Sequence, residues 1–140
     1  FAYIDGENNQ NQKLGMTAPF LTKMSVWKDT DFNVWVYKEM CYYIPEKFQV
    51  NPPRPNNPEL FIMKKAERVF FVKMFKGDGS ALTDSSWILE KETFTTKMAN
   101  MGMANELEVD HFYTASYEWW YTHEVMLEKK QLNPIDINFI

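Results

Sequence analysis

Apolar and polar residues alternate along several stretches of this 140-residue chain, and that period of two is typical of β-strands. The alternation predicts a first strand at 19–27, a turn at 28–31 and a second strand at 32–37. Both faces of the second strand are largely apolar, so we expect it to be covered on both faces. A predicted bulge at 38–39 separates it from an extension of the same sheet at 40–44.

The middle of the chain predicts two short strands followed by one long helix. The strands are expected at 60–64 and 68–75, and glycines that follow the second strand end it. A helix is predicted over 84–105, with Thr83 or Asp84 as the residue that caps its N-terminus. Apolar residues on one helical face predict which side of this helix faces the core: Trp87, Phe94, Met98 and Met101.

The other segments are interpreted from their turn residues and apolar patterns. Residues 5–13 are polar throughout and predict an exposed loop. Four prolines at 52–58 favour a stiff extended connection, with a proline-rich recognition ligand as the alternative. Further strands are predicted at 107–117 and, at the C-terminus, at 135–140. Between them, residues 118–124 bring two adjacent tryptophans and a histidine together.

Composition limits the classes of partner. Aromatic residues make up 16% of the chain, which favours strands and concave apolar sites. A net charge of −4 without any basic cluster argues against a nucleic-acid partner. No stretch approaches the roughly 18 apolar residues of a membrane span. The chain favours a cytoplasmic location, and an extracellular one stays open if the chain, which starts at Phe1, is a processed product.

Motifs for catalysis are absent from the sequence. It contains no G-x-S-x-G, H-E-x-x-H, P-loop or dinucleotide-binding fingerprint, and its carboxylate pairs have ordinary surface spacings. The single cysteine, Cys41, excludes an intramolecular disulfide framework and a cysteine-rich zinc site. A nucleophile–base pair of Cys41 with a histidine stays open but has no support, so the sequence does not favour an enzyme.

Four short motifs, taken in order, carry a resemblance to a known family. FAYIDGENN at 1–9 is followed by MTAP at 16–19, CYYIPEKFQ at 41–49 and NPPRPNNPE at 51–59. In this order and spacing they resemble the SOUL heme-binding protein family, in which Y-I-x-G-x-N precedes M-T-x-P and then P-x-x-F-Q-x-x-P-P-x-P. The resemblance covers roughly residues 1–98 and is poor in the C-terminal part.

The resemblance implies an α+β fold, a distorted antiparallel β-barrel flanked by two helices. It implies that residues 1–140 form a single domain that lacks the family's N-terminal strand and most of its first helix. Residues 1–4 would then be the last turn of that helix. A second chain that supplies the missing segment is an expectation that follows from this interpretation.

The resemblance also implies a non-catalytic tetrapyrrole carrier, with heme or a related porphyrin held in an apolar groove beside the M-T-x-P loop. Met16 has a polarizable thioether suited to a flat apolar ligand, and core filling is its alternative role. The groove is expected to involve one cation for the propionates and several apolar side chains: Lys13, Tyr3, Met16, Trp119 and Trp120.

His123 is the candidate iron ligand, because imidazole is the commonest heme-iron ligand and Trp120 precedes it by three residues. The alternative is an ordinary hydrogen-bonded histidine, which is also the interpretation of His111. For the whole chain two other functions stay open. One is an interaction or structural subunit that keeps the fold without binding heme, and the other is a small-molecule sensor.

Overall fold

The computed structural model describes residues 1–118 and 122–131 and shows an α+β chain. The predicted α+β class is therefore confirmed. Three 3₁₀ turns lie at Glu46–Phe48, Gly79–Ala81 and Ala104–Glu106. The regular elements are α1 (Ala2–Asp5), β1 (Phe20–Lys28), β2 (Val34–Cys41), β3 (Phe70–Lys76), α2 (Asp84–Asn100), β4 (Phe112–Glu118) and β5 (Thr122–Glu128).

The five strands form one antiparallel sheet in the order β2-β1-β4-β5-β3. The antiparallel arrangement that the resemblance implied is confirmed, and β2 and β3 lie at the two ends of the strand order. β1 is paired along both sides, with β2 and with β4. The predicted C-terminal strand at 135–140 lies outside the described residues.

The hairpin of β1 and β2 differs from the prediction at its turn and in its burial. Asp29 organises the turn, because its side chain accepts hydrogen bonds from the backbone N–H groups of Asp31 and Asn33. β2 therefore starts at Val34 rather than at residue 32, and it pairs with β1 without the predicted bulge. Val36 packs against the core, but Trp35 and Tyr37 on the other face are exposed, so the expectation of cover on both faces is wrong.

Two further strand predictions need correction. Residues 60–64 adopt no regular secondary structure, because a strand needs a hydrogen-bonding neighbour and none of the described strands pairs with them. β5, in contrast, was not predicted as a strand. In β5, buried His123, Val125 and Leu127 alternate with half-buried residues, and this period of two is present in the sequence.

Helix α2 begins where the sequence predicts and ends earlier. The Thr83 side chain accepts a hydrogen bond from the Ser86 N–H, and the Ser86 hydroxyl oxygen accepts one from the Thr83 backbone N–H. At the other end, Gly102 has a φ of 77°, and the bonds Gly102 N–H to Ala99 O and Met103 N–H to Met98 O close a Schellman motif. The predicted end at residue 105 missed this glycine stop.

The core lies between α2 and one face of the sheet. Phe94 and Met98 of the predicted stripe are buried there, whereas Met101 lies past the helix end and is exposed. Ion pairs attach α2 to the two outer strands of the sheet: Lys38 of β2 bonds Asp84 at 3.0 Å, and Lys73 of β3 bonds Glu90 at 2.9 Å. The remaining core residues come from the strands and from the segment before β4: Met24, Leu107, Phe112, Val125 and Leu127.

We expect Thr83→Ala to lower the free energy of unfolding by about 1 kcal/mol, because the first turn of α2 loses its cap. Urea unfolding followed by circular dichroism measures the difference. Thr93→Ala is the matched control, since Thr93 is an exposed α2 residue whose hydroxyl donates only to the Leu89 carbonyl. Equal unfolding free energies for the two variants would contradict the capping role.

Candidate functional site

The site begins with the short helix α1 and the loop that follows it. Gly6 ends α1 with a φ of 118°, a left-handed conformation that glycine adopts without strain. Ile4 and Leu14 are both buried, and the Leu14 N–H donates to the Ile4 carbonyl over 2.9 Å. The loop between them therefore returns to α1, and residues 13–16 lie beside it.

Asn8 holds this loop and is the least expected residue of the region. Its side-chain N–H₂ group donates to the carbonyls of Tyr3 and Gln12, and its Oδ1 accepts from the N–H groups of Gln10 and Gln12. Only 1% of Asn8 is exposed, so the prediction of a loop exposed throughout is wrong at this position. The Asn side-chain amide both donates and accepts, so it can pair with backbone carbonyl and N–H groups of the loop at once.

The proline-rich segment packs against the same loop. The Tyr3 hydroxyl donates to the Pro53 carbonyl over 2.7 Å, and Pro53 is fully buried. The backbone N–H of Arg54 donates to Asn9 Oδ1, and the Asn9 N–H donates to the Arg54 carbonyl. The predicted connector is irregular, as expected, and it also serves as a support for α1.

The loop at 15–17 is attached to the end of β2. The Tyr42 hydroxyl donates to the Gly15 carbonyl over 3.2 Å, and the Thr17 hydroxyl donates to the Tyr43 carbonyl over 2.5 Å. Met16 lies between these two anchors and is 58% exposed. Its alternative role as core filler is therefore not what the structure shows.

Aromatic rings continue the surface next to Met16. The Phe20 ring stacks on Tyr42 with 6.5 Å between centroids, and the Phe1 ring meets Phe20 edge-on at 5.7 Å. Burial raises the pKa of Tyr3, and burial together with the nearby Tyr3 raises the pKa of Tyr42. Both hydroxyls therefore stay neutral donors. We call this set the N-terminal aromatic surface: Phe1, Tyr3, Met16, Phe20 and Tyr42.

Three of the predicted site residues thus lie in one region. The Leu14–Ile4 hydrogen bond places exposed Lys13 beside α1, which carries Tyr3, and Met16 follows on the same loop as Lys13. Trp119 and Trp120 lie outside the described residues, and their proposed role stays a prediction. Two shallow clefts, of about 220 and 330 Å³, lie against opposite parts of α2, and none of the predicted site residues lines them. Within the aromatic surface, Phe1 and Met16 are exposed, and the other three side chains are half-buried.

His123 lies in the core, opposite Ser116 of β4, and Ser116 in turn pairs with Phe20 of β1. His123 is 2% exposed and contacts the rings of Phe75 and Trp87. Its Nε2 is 3.2 Å from the Gly77 carbonyl oxygen, and its Nδ1 is 3.0 Å from Ser116 Oγ. A neutral ring with its proton on Nε2 satisfies both partners. Ligation of iron by His123 stays a prediction, and it would require one nitrogen to leave its present partner.

A buried charge cluster lies at the far end of the sheet and was not found from the sequence. Glu128, whose side chain is 3% exposed, accepts hydrogen bonds from Arg68 and, over 2.5 Å, from His111 Nε2. Burial opposes the ionisation of Glu128, but these two hydrogen bonds and charges outweigh it and lower the pKa of the carboxyl. Arg68 precedes β3 and His111 precedes β4, so Glu128 joins three segments.

Comparison with known proteins identifies the family. The family model described as SOUL heme-binding protein matches residues 1–128. The chain belongs to the SOUL heme-binding protein family. Among its relatives, human Heme-binding protein 2 is 30% identical over 116 residues, which cover 83% of this chain and 53% of the relative. The mouse protein of the same name is 29% identical over 119 residues, which cover 82% and 53% respectively.

This SOUL-family chain spans about half the length of the curated relatives it matches. Within the described ranges, no three His, Cys, Asp or Glu side chains are placed to hold a metal ion, and no helix is long and apolar enough to cross a membrane. Both described imidazoles already have hydrogen-bond partners at each nitrogen.

We expect Glu128→Gln to lower the unfolding free energy by about 1.5–3 kcal/mol, because charge-assisted hydrogen bonds to Arg68 and His111 are lost. The folded-state pKa of Glu128 is lowered, so its contribution is present above the unfolded-state pKa and is lost as pH falls through the folded-state value. The difference between wild type and Glu128→Gln should therefore shrink in acid. Urea unfolding at a series of pH values measures it.

Glu106→Gln is the matched control for Glu128→Gln. Glu106 pairs with Lys129 at 3.6 Å, but both side chains are 44% exposed, and such surface pairs contribute about 0–1 kcal/mol. An unfolding free energy of Glu128→Gln that equals that of Glu106→Gln at every pH would show that the buried cluster does not stabilise the fold.

Proposed function

We propose that this chain binds a tetrapyrrole, heme or a related porphyrin, without catalysing its conversion, and that the ligand lies on the N-terminal aromatic surface. The observation that carries the proposal is Met16, an exposed thioether held between two backbone anchors beside the stacked rings of Phe20 and Tyr42. Membership of a heme-binding family supports the class of ligand.

The physical basis of binding is apolar contact with one face of the macrocycle. Each 100 Å² of apolar surface removed from water contributes about 2.5 kcal/mol. Aromatic rings and a thioether are suited to this contact because they are flat or polarizable and need no directional partner. Lys13 is exposed on the adjacent loop and supplies a cation within the region where propionates of a bound porphyrin would meet solvent.

The backbone around Met16 is held before any ligand binds. The Asn8 side chain hydrogen-bonds the backbone of the loop that precedes Met16, and Tyr42 and Thr17 attach residues 15–17 to the end of β2. Little conformational entropy then remains to be lost when a ligand contacts the surface, which favours affinity. The support from Asn8, Thr17 and Tyr42 therefore lets this surface contact a flat ligand without first becoming ordered.

Titration with hemin followed by visible absorption tests the proposal. We expect a saturable Soret change near one equivalent in wild type and an affinity about three- to tenfold lower in Met16→Ala, since part of one apolar side chain is lost. Met101→Ala is the matched control, because Met101 is 65% exposed but lies at the C-terminal end of α2. Equal affinities for wild type and Met16→Ala would overturn the assignment of the surface.

Metal-free protoporphyrin tests whether iron ligation is needed. If apolar contact drives binding, metal-free protoporphyrin should bind within about threefold of hemin, which corresponds to less than about 0.7 kcal/mol. Fluorescence of the bound porphyrin measures its affinity. A large preference for hemin, together with a low-spin spectrum that His123→Ala abolishes, would instead assign the iron to His123 and contradict binding by apolar contact alone.

A second candidate function, a protein-interaction subunit that binds no heme, has one observation in its favour. The four consecutive apolar side chains of residues 60–63 are all exposed, and runs of this kind are rare on surfaces without a partner. A colourless preparation with a flat hemin titration would favour this candidate over the tetrapyrrole proposal.

A further inference from the structure

The His111 ring lies between two carboxyl groups. Nδ1 of His111 is 2.7 Å from Asp110 Oδ1, and Nε2 of His111 is 2.5 Å from Glu128 Oε2. An ionised carboxylate can only accept a hydrogen bond. Both nitrogens must therefore carry a proton for both contacts to be hydrogen bonds, so the arrangement fits the imidazolium ring.

The two carboxylates are not equivalent, and this decides which proton leaves when the ring becomes neutral. Glu128 has a side chain that is 3% exposed, whereas the side chain of Asp110 is 80% exposed. A buried carboxylate that loses a donor has no water to replace it, but an exposed one does. The proton on Nδ1, opposite Asp110, is therefore the one that is lost.

We propose that His111 is a proton-controlled latch for the segment before β4. When both nitrogens carry protons, the ring holds Asp110 to the buried Glu128; when the Nδ1 proton leaves, Asp110 is released while Nε2 continues to donate to Glu128. Val109, Asp110 and His111 form one wall of the cleft of about 220 Å³ between this segment, β1 and α2. The latch therefore changes the wall of that cleft with pH.

The charged groups around the latch support this assignment of the proton. Arg68 bonds Glu128 and keeps it ionised, so Glu128 is not the group that changes. The hydrogen bond from His111 lowers the pKa of Asp110, and Lys23 of β1 lowers it further. Other titratable side chains also lie near His111 and Glu128 or line the cleft of about 220 Å³: Lys28, Lys65, Lys91, Glu92, Glu108 and Tyr113.

Ring-nitrogen NMR of the ¹⁵N-labelled chain tests the latch over a range of about pH 5 to 8, where histidines titrate. We expect both His111 nitrogens to carry protons at low pH, and Nδ1 alone to lose its proton as pH rises. With ¹³C labelling added, the carboxylate carbon signal of Asp110 should shift in the same step. A proton that leaves from Nε2, or an Asp110 signal that does not follow His111, would overturn the proposal.

His123 serves as the reference histidine within the same spectrum. Its Nε2 faces the Gly77 carbonyl, which can only accept, so one tautomer with the proton on Nε2 is expected for it. The test is thus able to distinguish a latch from a general effect of pH on imidazole signals.

Two charge-removing variants complete the test. In Asp110→Asn the His111 transition should move to lower pH, because an anion that stabilises the imidazolium is gone, and the exposed position keeps the fold intact. Glu92→Gln removes an exposed carboxylate across the cleft and should leave the transition in place. A transition at the wild-type pH in Asp110→Asn, or equal shifts in both variants, would contradict the latch.

Discussion

The packing of α2 on one face of the sheet is the constraint from which the rest of the arrangement follows. Phe94 and Met98 cover Met24, Phe112 and Val125, which come from three different strands. These strands, β1, β4 and β5, are adjacent in the middle of the sheet, so the helix packs across its centre. The ion pairs of Lys38 and Lys73 attach the helix to the two end strands as well.

The opposite ends of the sheet are used for different chemistry. At one end, backbone hydrogen bonds and the amide of Asn8 keep an apolar surface open to solvent. At the other end, the buried Glu128 accepts hydrogen bonds from Arg68 and His111. The first arrangement uses neutral groups and suits an apolar ligand. The second depends on the charges of Glu128 and Arg68.

The sequence allowed much of the fold to be predicted, because local signals decide it. Alternation located β1 and β3, and Thr83 marked the start of α2. The failures came from long-range pairing. No local pattern shows that residues 60–64 pair with none of the described strands, or that β2 is the end strand of the described order with Trp35 and Tyr37 exposed. The end of α2 was readable, since Gly102 stands where a Schellman motif needs a left-handed residue.

The candidate site was predictable in part. The motif order brought Tyr3, Lys13 and Met16 to attention, and they do lie in one region. Asn8 was missed because an asparagine in a polar loop gives no signal of burial. Glu128 was missed because its partners Arg68 and His111 are 60 and 17 residues away along the chain. Only a three-dimensional arrangement can show such a cluster.

The position of Cys41 has a practical consequence. It is the one cysteine of the sequence, it is half-buried at the last residue of β2, and its thiol is free. The next residue is Tyr42, whose ring belongs to the N-terminal aromatic surface. A small thiol-reactive fluorophore attached here would need no added cysteine. Energy transfer from that fluorophore would then report directly on whether a coloured molecule occupies the neighbouring surface.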